Sequence, residues 1–133
     1  MTNPRNNPKG FWHKEQNLTK ISGRWDITGV AGVVDNVVGH GFTVARDAAN
    51  AGNYIITFTD GFACLLQAQA NVIADSGGGA IDLYAQLGAF TPGASGACTL
   101  VVRTKAIGVS TDPTATDGVC FEATLYGEDL EGY

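Results

Sequence analysis

The chain has two histidines, His13 and His40, which are the side chains best suited to act as a general base beside a nucleophile. His13 lies in a polar leading segment, and His40 stands between Gly39 and Gly41 in a stretch that predicts a turn. Neither belongs to a recognisable pattern with a serine, threonine or cysteine. We therefore predict that the protein is not an enzyme and takes no cofactor, with an esterase or glycosidase as the least favoured function.

The side chains that could bind a metal are the loop aspartates and the three cysteines. DPTATDG, residues 112–118, offers two carboxylates and threonine oxygens, but calcium requires about six to eight oxygen ligands and the spacing does not match an EF-hand loop. Cys64, Cys98 and Cys120 form no CxxC pair, so we expect buried free thiols, with a Cys64–Cys98 bridge or an intermolecular bridge as the alternative. No metal site is predicted.

Apolar and polar residues alternate along several short stretches from residue 20 onward, which is the period-two pattern of half-buried β-strands. GFTVARD and NYIITFTD, joined by the Asn- and Gly-bearing AANAGN, predict a β-hairpin. The positions predicted to share the inward phase of their strands are Ile21, Gly23, Trp25, Ile27, Tyr54, Ile56, Phe58, Cys64, Leu66, Ala68, Ala70, Val72, Ile81, Leu83, Ala85, Leu87, Ala89, Cys98, Leu100, Val102, Ala106, Val119, Phe121, Ala123 and Leu125.

These elements predict two regions of different character. Residues 1–19 contain Pro4 and Pro8 and no sustained apolar period, so we expect an extended N-terminal arm. Residues 20–133 are expected to form one all-β domain, an antiparallel β-sandwich of jelly-roll-like form, since two sheets must cover each other's apolar faces. Within it, the pattern of residues 29–39 does not decide between a strand and irregular chain.

Charge is divided unevenly along the 133 residues, whose net charge is −5. Residues 1–25 hold five basic residues against Glu15 alone, a net of +4, and the rest holds three basic residues against twelve acids, a net of −9. A basic segment on an acidic body indicates an interaction segment. Its basic residues are too dispersed, and the body too acidic, to predict nucleic acid as the partner. The apolar runs predict neither a signal peptide nor a membrane span, so we expect synthesis in the cytoplasm.

The motif KGFWHK, residues 9–14, places an aromatic pair between lysines in a segment that cannot bury it locally. Large aromatic side chains are typical anchors at protein interfaces. We predict that the basic leading region binds an acidic protein partner, and the alternative is that Phe11 and Trp12 fold back over the chain's own sandwich. The predicted partner-binding residues are Arg5, Lys9, Phe11, Trp12, Lys14, Lys20, Arg24 and Trp25.

The outward positions of the predicted strands are polar but carry few charges. Depletion of Lys and Glu is typical of the core of a protein interface. We therefore predict a homo-oligomer, with a solvent-facing Thr/Gln sheet as an alternative of equal weight. The predicted oligomer-interface residues are Gln67, Gln69, Tyr84 and Tyr126.

The stretch GHGFTVARDAANAGNYIITFTDGFACLL, followed by LVVRT, an Asp-bearing loop and CFEATLYGED, resembles the small all-β structural proteins of tailed bacteriophages. The resemblance covers residues 40–128 and implies a virion protein, often a homotrimer, of the head decoration (cement), head fibre or spike, or tail appendage type. It implies that the N-terminal segment anchors the body to the major capsid protein or another virion protein. The alternative function is a carbohydrate- or receptor-binding module of a head or tail fibre, with Tyr84, Tyr126 and Phe90 available to stack on a sugar.

Overall fold

The chain forms nine β-strands within the residues that the computed structural model describes, which are 18–28, 32–73, 83–106, 109–111, 113 and 117–127. The strands are β1 (Leu18–Thr28), β2 (Val33–Gly39), β3 (Phe42–Arg46), β4 (Asn53–Phe58), β5 (Phe62–Ile73), β6 (Leu83–Thr91), β7 (Cys98–Ala106), β8 (Val109–Ser110) and β9 (Gly118–Gly127). β1 already includes Leu18 and Thr19, which were predicted to belong to the arm, and the rest of the predicted arm lies outside the described residues.

The strands pair into two antiparallel sheets that pack against each other. Sheet 1 has the order β2-β1-β9-β5, and sheet 2 has the order β3-β4-β7-β6 with β8 beside one end of β7. The consecutive pairs β1–β2, β3–β4, β6–β7 and β7–β8 are neighbours within one sheet, whereas the chain changes sheet after β2, β4, β5 and β8. The predicted all-β antiparallel sandwich is confirmed, and the predicted hairpin is β3 with β4.

Aromatic rings from both sheets interlock at the centre of the core. Trp25 of sheet 1 lies 5.6 Å from Tyr54 of sheet 2 between ring centroids, and the edge of Phe42 meets the face of Phe121 at 5.0 Å. Such tilted and edge-on contacts are the favoured geometry of aromatic pairs. The Tyr54 hydroxyl donates a 2.8 Å hydrogen bond to the carbonyl of Gly32, which satisfies its polar end inside the core. The aromatic contacts therefore hold the two sheets in one arrangement.

Trp25 takes the inward position that its strand phase predicts, and this removes it from the predicted partner surface. Its side chain is 0% exposed and also packs against Phe121, with ring centroids 6.2 Å apart. A side chain without accessible surface cannot contact a partner while the sandwich is folded. We therefore assign Trp25 to the chain's own core.

β5 departs from the predicted alternation because it contains two β-bulges. The pairing with β9 shifts by one residue at Ala63 and again at Leu66. A bulge inserts one extra residue into a strand, so the phase of inward side chains before it differs from the phase after it. Leu65 accordingly packs against the core with Ala68, whereas Cys64 and Leu66 are exposed, Leu66 by 52%. The predicted inward placement of Cys64 and Leu66 was wrong for this reason.

A further bulge alters the phase of β6. The pairing with β7 runs from Leu87 opposite Val102 to Phe90 opposite Leu100, so one residue is inserted between them. Phe90 therefore packs against the core, and Ala89, which was predicted to face inward, is exposed. The extra residue lets the large Phe90 ring fill space that an alanine would leave empty.

The undecided stretch of residues 29–39 contains the edge strand β2. Along β2 only Val34 and its neighbouring backbone approach the core, and Val33, Val37 and Val38 are exposed. Asn36 has a φ of 54°, in the left-handed region that asparagine tolerates better than most residues, and the pairing with β1 shifts beside it. An exposed edge strand with a bulge has no clean alternation, so its pattern could not identify it.

Candidate functional surfaces

Polar side chains form rows across the outer face of sheet 1. The Lys20 ammonium lies 3.5 Å from a Glu122 carboxylate oxygen, and the Gln69 side chain donates a 3.2 Å hydrogen bond to the other oxygen of Glu122. The structure thus brings together Lys20, predicted to bind a partner, and Gln69, predicted to bind a second copy. Two adjacent rows run across β1, β9 and β5. One row is Lys20, Thr124 and Gln67, and the next is Ser22, Glu122 and Gln69.

Arg24 lies on the same face and already has an acidic partner. Its guanidinium donates hydrogen bonds of 2.9 and 3.2 Å to one oxygen of Asp26, and the Asn36 side chain donates one of 3.1 Å to the other oxygen. These hydrogen bonds, that of Arg24 above all, hold the pKa of the Asp26 carboxyl below its ordinary value. The charges of Lys20 and Arg24, which were predicted to meet acids of a partner, are therefore balanced within the chain.

The four predicted oligomer-interface residues do not share one surface. Gln67, Gln69 and Tyr126 lie on the outer face of sheet 1, on strands β5 and β9. Tyr84 lies on β6 and points outward from sheet 2, with 45% of its surface exposed. The two outer faces of a sandwich look in opposite directions, so a single flat contact cannot include all four.

The long strand β5 is the outermost strand of sheet 1, and part of its backbone comes close to β6 at the edge of sheet 2. Its twelve residues include no charged side chain and no proline. Among the described residues β5 pairs with β9 on one side, and on the other side only Phe62 is bridged, to Gly93. Residues 67–73 follow the two bulges in regular register, and we call this stretch the β5 edge. A shallow groove of about 270 Å³ lies beside it, lined by Gln67, Ala68, Gln69, Glu122 and Thr124.

The opposite edge of sheet 1 is protected in ways that the β5 edge is not. β2 has seven residues, carries the charge of Asp35, and is interrupted by the left-handed Asn36. Charges, bulges and short length are the usual means by which proteins prevent an edge strand from pairing with another chain. Within sheet 1, the β5 edge is therefore the better template for pairing.

The outer face of sheet 2 differs from that of sheet 1 in its charges. Arg103 and Lys105 lie two residues apart on β7, and the intervening Thr104 is fully buried, so both cations point outward. Strands β3, β4, β6, β7 and β8 contain no Asp or Glu, and neither cation has an ion pair among the described residues. Farther along this face, one row contains four threonines, which are Thr43, Thr57, Thr99 and Thr91.

A depression of about 350 Å³ opens beside these two cations. Besides Arg103 and Lys105, its lining comes from the β3–β4 turn, the first residue of β4 and β8, namely Ala49, Asn50, Ala51, Asn53 and Ser110. Alternation with the inward Val102 places Arg103 and Lys105 on the outward face of their strand, but no sequence pattern indicates this pocket. The pocket depends on strand pairing between residues far apart in the chain, and no local pattern signals it.

Hydrogen bonds from Thr104 fix the two walls of this pocket relative to β7. The Thr104 amide donates to the carbonyl of Gly52 at 2.7 Å, and the Thr104 hydroxyl lies 3.1 Å from that carbonyl and 2.6 Å from the carbonyl of Thr111. Gly52 has a φ of 82°, and a Cβ there would lie 2.6 Å from the Thr104 carbonyl oxygen. Glycine is therefore required where the turn approaches β7.

Asp47 organises the turn that forms one side of the pocket. Its carboxylate accepts hydrogen bonds from the Asn50 side chain at 2.9 Å and from the Ala49 amide at 3.0 Å. These two bonds, that from Asn50 first, hold the pKa of Asp47 below its ordinary value. The Asp47 carboxylate is thus engaged within the turn.

Other candidate chemical groups are dispersed over the described surface. His40 is exposed in the β2–β3 connection, and Cys64, Cys98 and Cys120 are free thiols, of which only Cys98 is buried. The expectation of buried thiols was therefore wrong for Cys64, whose strand phase is changed by the bulges, and for Cys120, which is half-buried. In the described part of the chain, no three His, Cys, Asp or Glu side chains come close enough to share a metal ion. The described residues also include no helix that could span a membrane.

The remaining predicted partner-binding residues lie outside the described part of the chain, so their predicted role stays a prediction. They are Arg5, Lys9, Phe11, Trp12 and Lys14.

No protein-family model matches the chain, and comparison with curated proteins and with solved structures gives no match. The functional argument therefore depends on the surfaces themselves.

Proposed function

We propose that this chain is a non-enzymatic structural protein that assembles with copies of itself through the β5 edge. The observation that carries the proposal is the composition of β5, whose twelve residues contain no charge and no proline although the strand lies at the edge of a sheet. Soluble proteins ordinarily protect such edges, because the unpaired N–H and C=O groups are a template for another strand.

The side chains of the β5 edge suit a second copy of the same strand. Gln69 and Asn71 point outward and carry amides that both donate and accept hydrogen bonds, so they are self-complementary. The chain has a net charge of −5, but β5 itself has no charged side chain, so two copies of β5 would not repel each other through charges on this strand. Two copies paired antiparallel about a two-fold axis would join their sheets 1 along about 24 Å, taking seven residues at about 3.4 Å each.

The form of assembly that we propose is a virion, in which the protein decorates or cements the capsid. Two considerations support this form: the resemblance of residues 40–128 to phage structural proteins, and the basic aromatic segment before β1. Since Lys20 and Arg24 are paired with acids of their own chain, anchoring to a capsid protein falls to the segment that contains Phe11 and Trp12. The resemblance to phage proteins implies a trimer, whereas pairing through the β5 edge gives a dimer. The mass of the protein in solution distinguishes the two.

The self-assembly is tested by the mass of the full chain in solution and by one charge placed in the edge. Sedimentation of the wild type should give a dimer or a larger even-numbered species, and Asn71→Lys should give a monomer, because two like charges would enter the paired edge. The matched control is Thr43→Lys, which introduces the same charge on the exposed edge strand β3 of sheet 2 and should leave the mass unchanged. A monomeric wild type, or an Asn71→Lys variant of unchanged mass, would contradict the proposal.

The anchoring to a capsid is tested separately on purified particles. Trp12→Ala should release the protein from particles more completely than Lys14→Ala, because aromatic anchors contribute more to affinity than exposed ion pairs do. Equal retention of the two variants would count against anchoring by the aromatic pair. That result would leave the β5 contact standing, so the two parts of the proposal fail separately.

A further inference from the structure

Arg103 and Lys105 of sheet 2, which make no ion pair with the described residues, lie within a polar cluster that the strand register assembles. Arg103 lies opposite Asn53 on β4 and Gln86 on β6. Lys105 lies opposite Tyr84 on β6 and Ser110 on β8. Cross-strand neighbours lie about 5 Å apart and positions two residues apart in a strand about 7 Å apart. The cluster therefore has the dimensions of a small polar ligand.

We infer that this cluster, with the adjacent pocket, binds an acidic saccharide, meaning a sugar ring that carries a carboxylate. The carboxylate would lie between Arg103 and Lys105, the amides and hydroxyl of the lining would bond sugar hydroxyls, and Tyr84 would cover a ring face. This function does not depend on assembly through the β5 edge, which belongs to the other sheet.

The charge pattern is the first support for an anionic ligand. The chain as a whole carries a net charge of −5, yet the strands of sheet 2 hold cations without acids. The nearby Asp47 carboxylate is held by hydrogen bonds within its own turn and makes no ion pair with either cation among the described residues. Hydrogen bonds between a guanidinium or ammonium and a carboxylate are roughly twice as strong as neutral ones.

The neutral side chains are the support for a sugar rather than a simple anion. Asn50 and Ser110 line the pocket, and Gln86 flanks Arg103 from the other side, so donors and acceptors surround the cations. Tyr84 is 45% exposed and stands beside Lys105, where its ring offers an apolar face next to the charge. An inorganic anion presents no apolar face to an aromatic ring, whereas a sugar ring presents one and also carries several hydroxyls that donate and accept hydrogen bonds.

The pocket volume and an unsatisfied polar atom beside it both support binding of a small ligand. The pocket volume of about 350 Å³ lies at the lower end of the range of small-molecule sites. The side-chain oxygen of Asn53 is buried and accepts no hydrogen bond from the described residues. A buried acceptor without a hydrogen bond lowers the stability of the folded state. Because the terminal torsion of asparagine rotates readily, the Asn53 oxygen could turn toward the pocket and accept a hydrogen bond from a ligand hydroxyl.

The test titrates the full chain with sodium D-glucuronate, D-glucose and sodium phosphate at constant ionic strength, followed by the amide resonances of the protein. Glucuronate should shift the amides of Asn53, Arg103 and Lys105 in a saturable way, and should bind about tenfold more tightly than either glucose or phosphate. Phosphate binding as tight as glucuronate would reduce the site to a simple anion site and overturn the saccharide assignment. Glucose binding as tight as glucuronate would remove the role of the carboxylate, and no saturable shift would overturn the site itself.

Variants assign the binding to the named side chains. Lys105→Gln and Arg103→Gln should each weaken glucuronate binding about tenfold, whereas Lys20→Gln, which removes the same charge from sheet 1, should leave it unchanged. Tyr84→Phe should retain binding and Tyr84→Ala should lose most of it, because the ring face and not the hydroxyl is used. Equal binding by Lys105→Gln, Tyr84→Ala and wild type would contradict the inference, and an unchanged amide spectrum outside the cluster shows that each variant is folded.

Discussion

The two outer faces of the sandwich cover the same core but differ in whether their basic side chains form ion pairs within the chain. On sheet 1, Lys20 and Arg24 each lie within ion-pair distance of an acid of the same chain. On sheet 2, Arg103 and Lys105 have no such partner among the described residues, and the strands around them contain no acid. This difference is the reason that we place the proposed anionic ligand on sheet 2 and not on sheet 1.

The edges of the sheets extend this comparison. Sheet 1 has the balanced face but the unprotected β5 edge, and sheet 2 has the unbalanced face. The two sheets thus carry the two surfaces of our proposals: backbone groups at the β5 edge of sheet 1, and charged side chains on the outer face of sheet 2. The following variants test whether these surfaces are separate and whether they depend on one core.

The largest effect is expected from Trp25, on which both faces depend. Trp25→Ala should lower the free energy of unfolding by about 3–5 kcal/mol, because it removes a fully buried ring that contacts both sheets. Urea unfolding measures this loss, and the matched control is Tyr84→Ala, which removes an exposed ring and should change stability by less than about 1 kcal/mol. Similar losses in the two variants would contradict the assignment of Trp25 to the core.

A smaller effect is expected from Thr104, which secures only the sheet 2 pocket. Thr104→Val keeps the shape of the side chain but leaves the carbonyls of Gly52 and Thr111 without its hydroxyl, so stability should fall by about 1–3 kcal/mol. Glucuronate binding should weaken as well, since the turn and β8 lose their common support. Thr99→Val, on the same strand but facing outward, should leave both measurements near the wild-type values. A Thr104→Val variant that matches Thr99→Val would show that the hydroxyl does not position the pocket.

The ion pairs of sheet 1 are expected to contribute still less. A double-mutant cycle with Lys20→Gln and Glu122→Gln should give a coupling energy of about 0.2–1 kcal/mol, since the Lys20 side chain is 64% exposed and that of Glu122 is 37% exposed. Arg103→Gln on sheet 2 should cause no loss of stability, because no ion pair is broken there. A clear loss for Arg103→Gln would reveal a partner within the chain and remove the contrast between the two faces.

The smallest effect is expected for the turn carboxylate Asp47, and it should depend on pH. Because the folded-state pKa of Asp47 is lowered, its stabilising contribution is present above the ordinary pKa of an aspartate and disappears as the pH falls through the folded-state value. Asp47→Ala should therefore melt at a slightly lower temperature than wild type at pH 7. The difference should shrink as the pH is lowered below about 4. A difference that stays constant or grows in acid would contradict the hydrogen bonds assigned to this carboxylate.

The elements predicted correctly are those whose signals are local. The hairpin of β3 and β4 follows from an uninterrupted period of two and a turn rich in Asn and Gly, and the inward phases of β7 and β9 follow from the same period. The errors at Leu66 and Ala89 arise from bulges, which shift the phase by one residue without a distinctive residue type. A bulge is favoured by packing against a neighbouring strand, and that neighbour is distant in the sequence.

The candidate sites likewise combine features that a local sequence pattern predicts with features that only the strand order reveals. The outward position of Arg103 and Lys105 could be predicted from alternation, but their assembly with Tyr84 and Ser110 depends on the strand order β4-β7-β6 and on β8. The free edge of β5 likewise appears only once the strand order is known. Sequence patterns give the faces of individual strands, whereas neighbours and edges are properties of the whole sheet.

Hydrogen exchange at the amides of residues 67–73, measured on the full chain over a range of protein concentrations, tests the self-assembly most directly. If copies pair through the β5 edge, the amides that do not bond to β9 should exchange slowly at high concentration and become faster on dilution, while those bonded to β9 stay slow throughout. Fast exchange, at every concentration, of the amides that do not bond to β9 would contradict the proposed assembly.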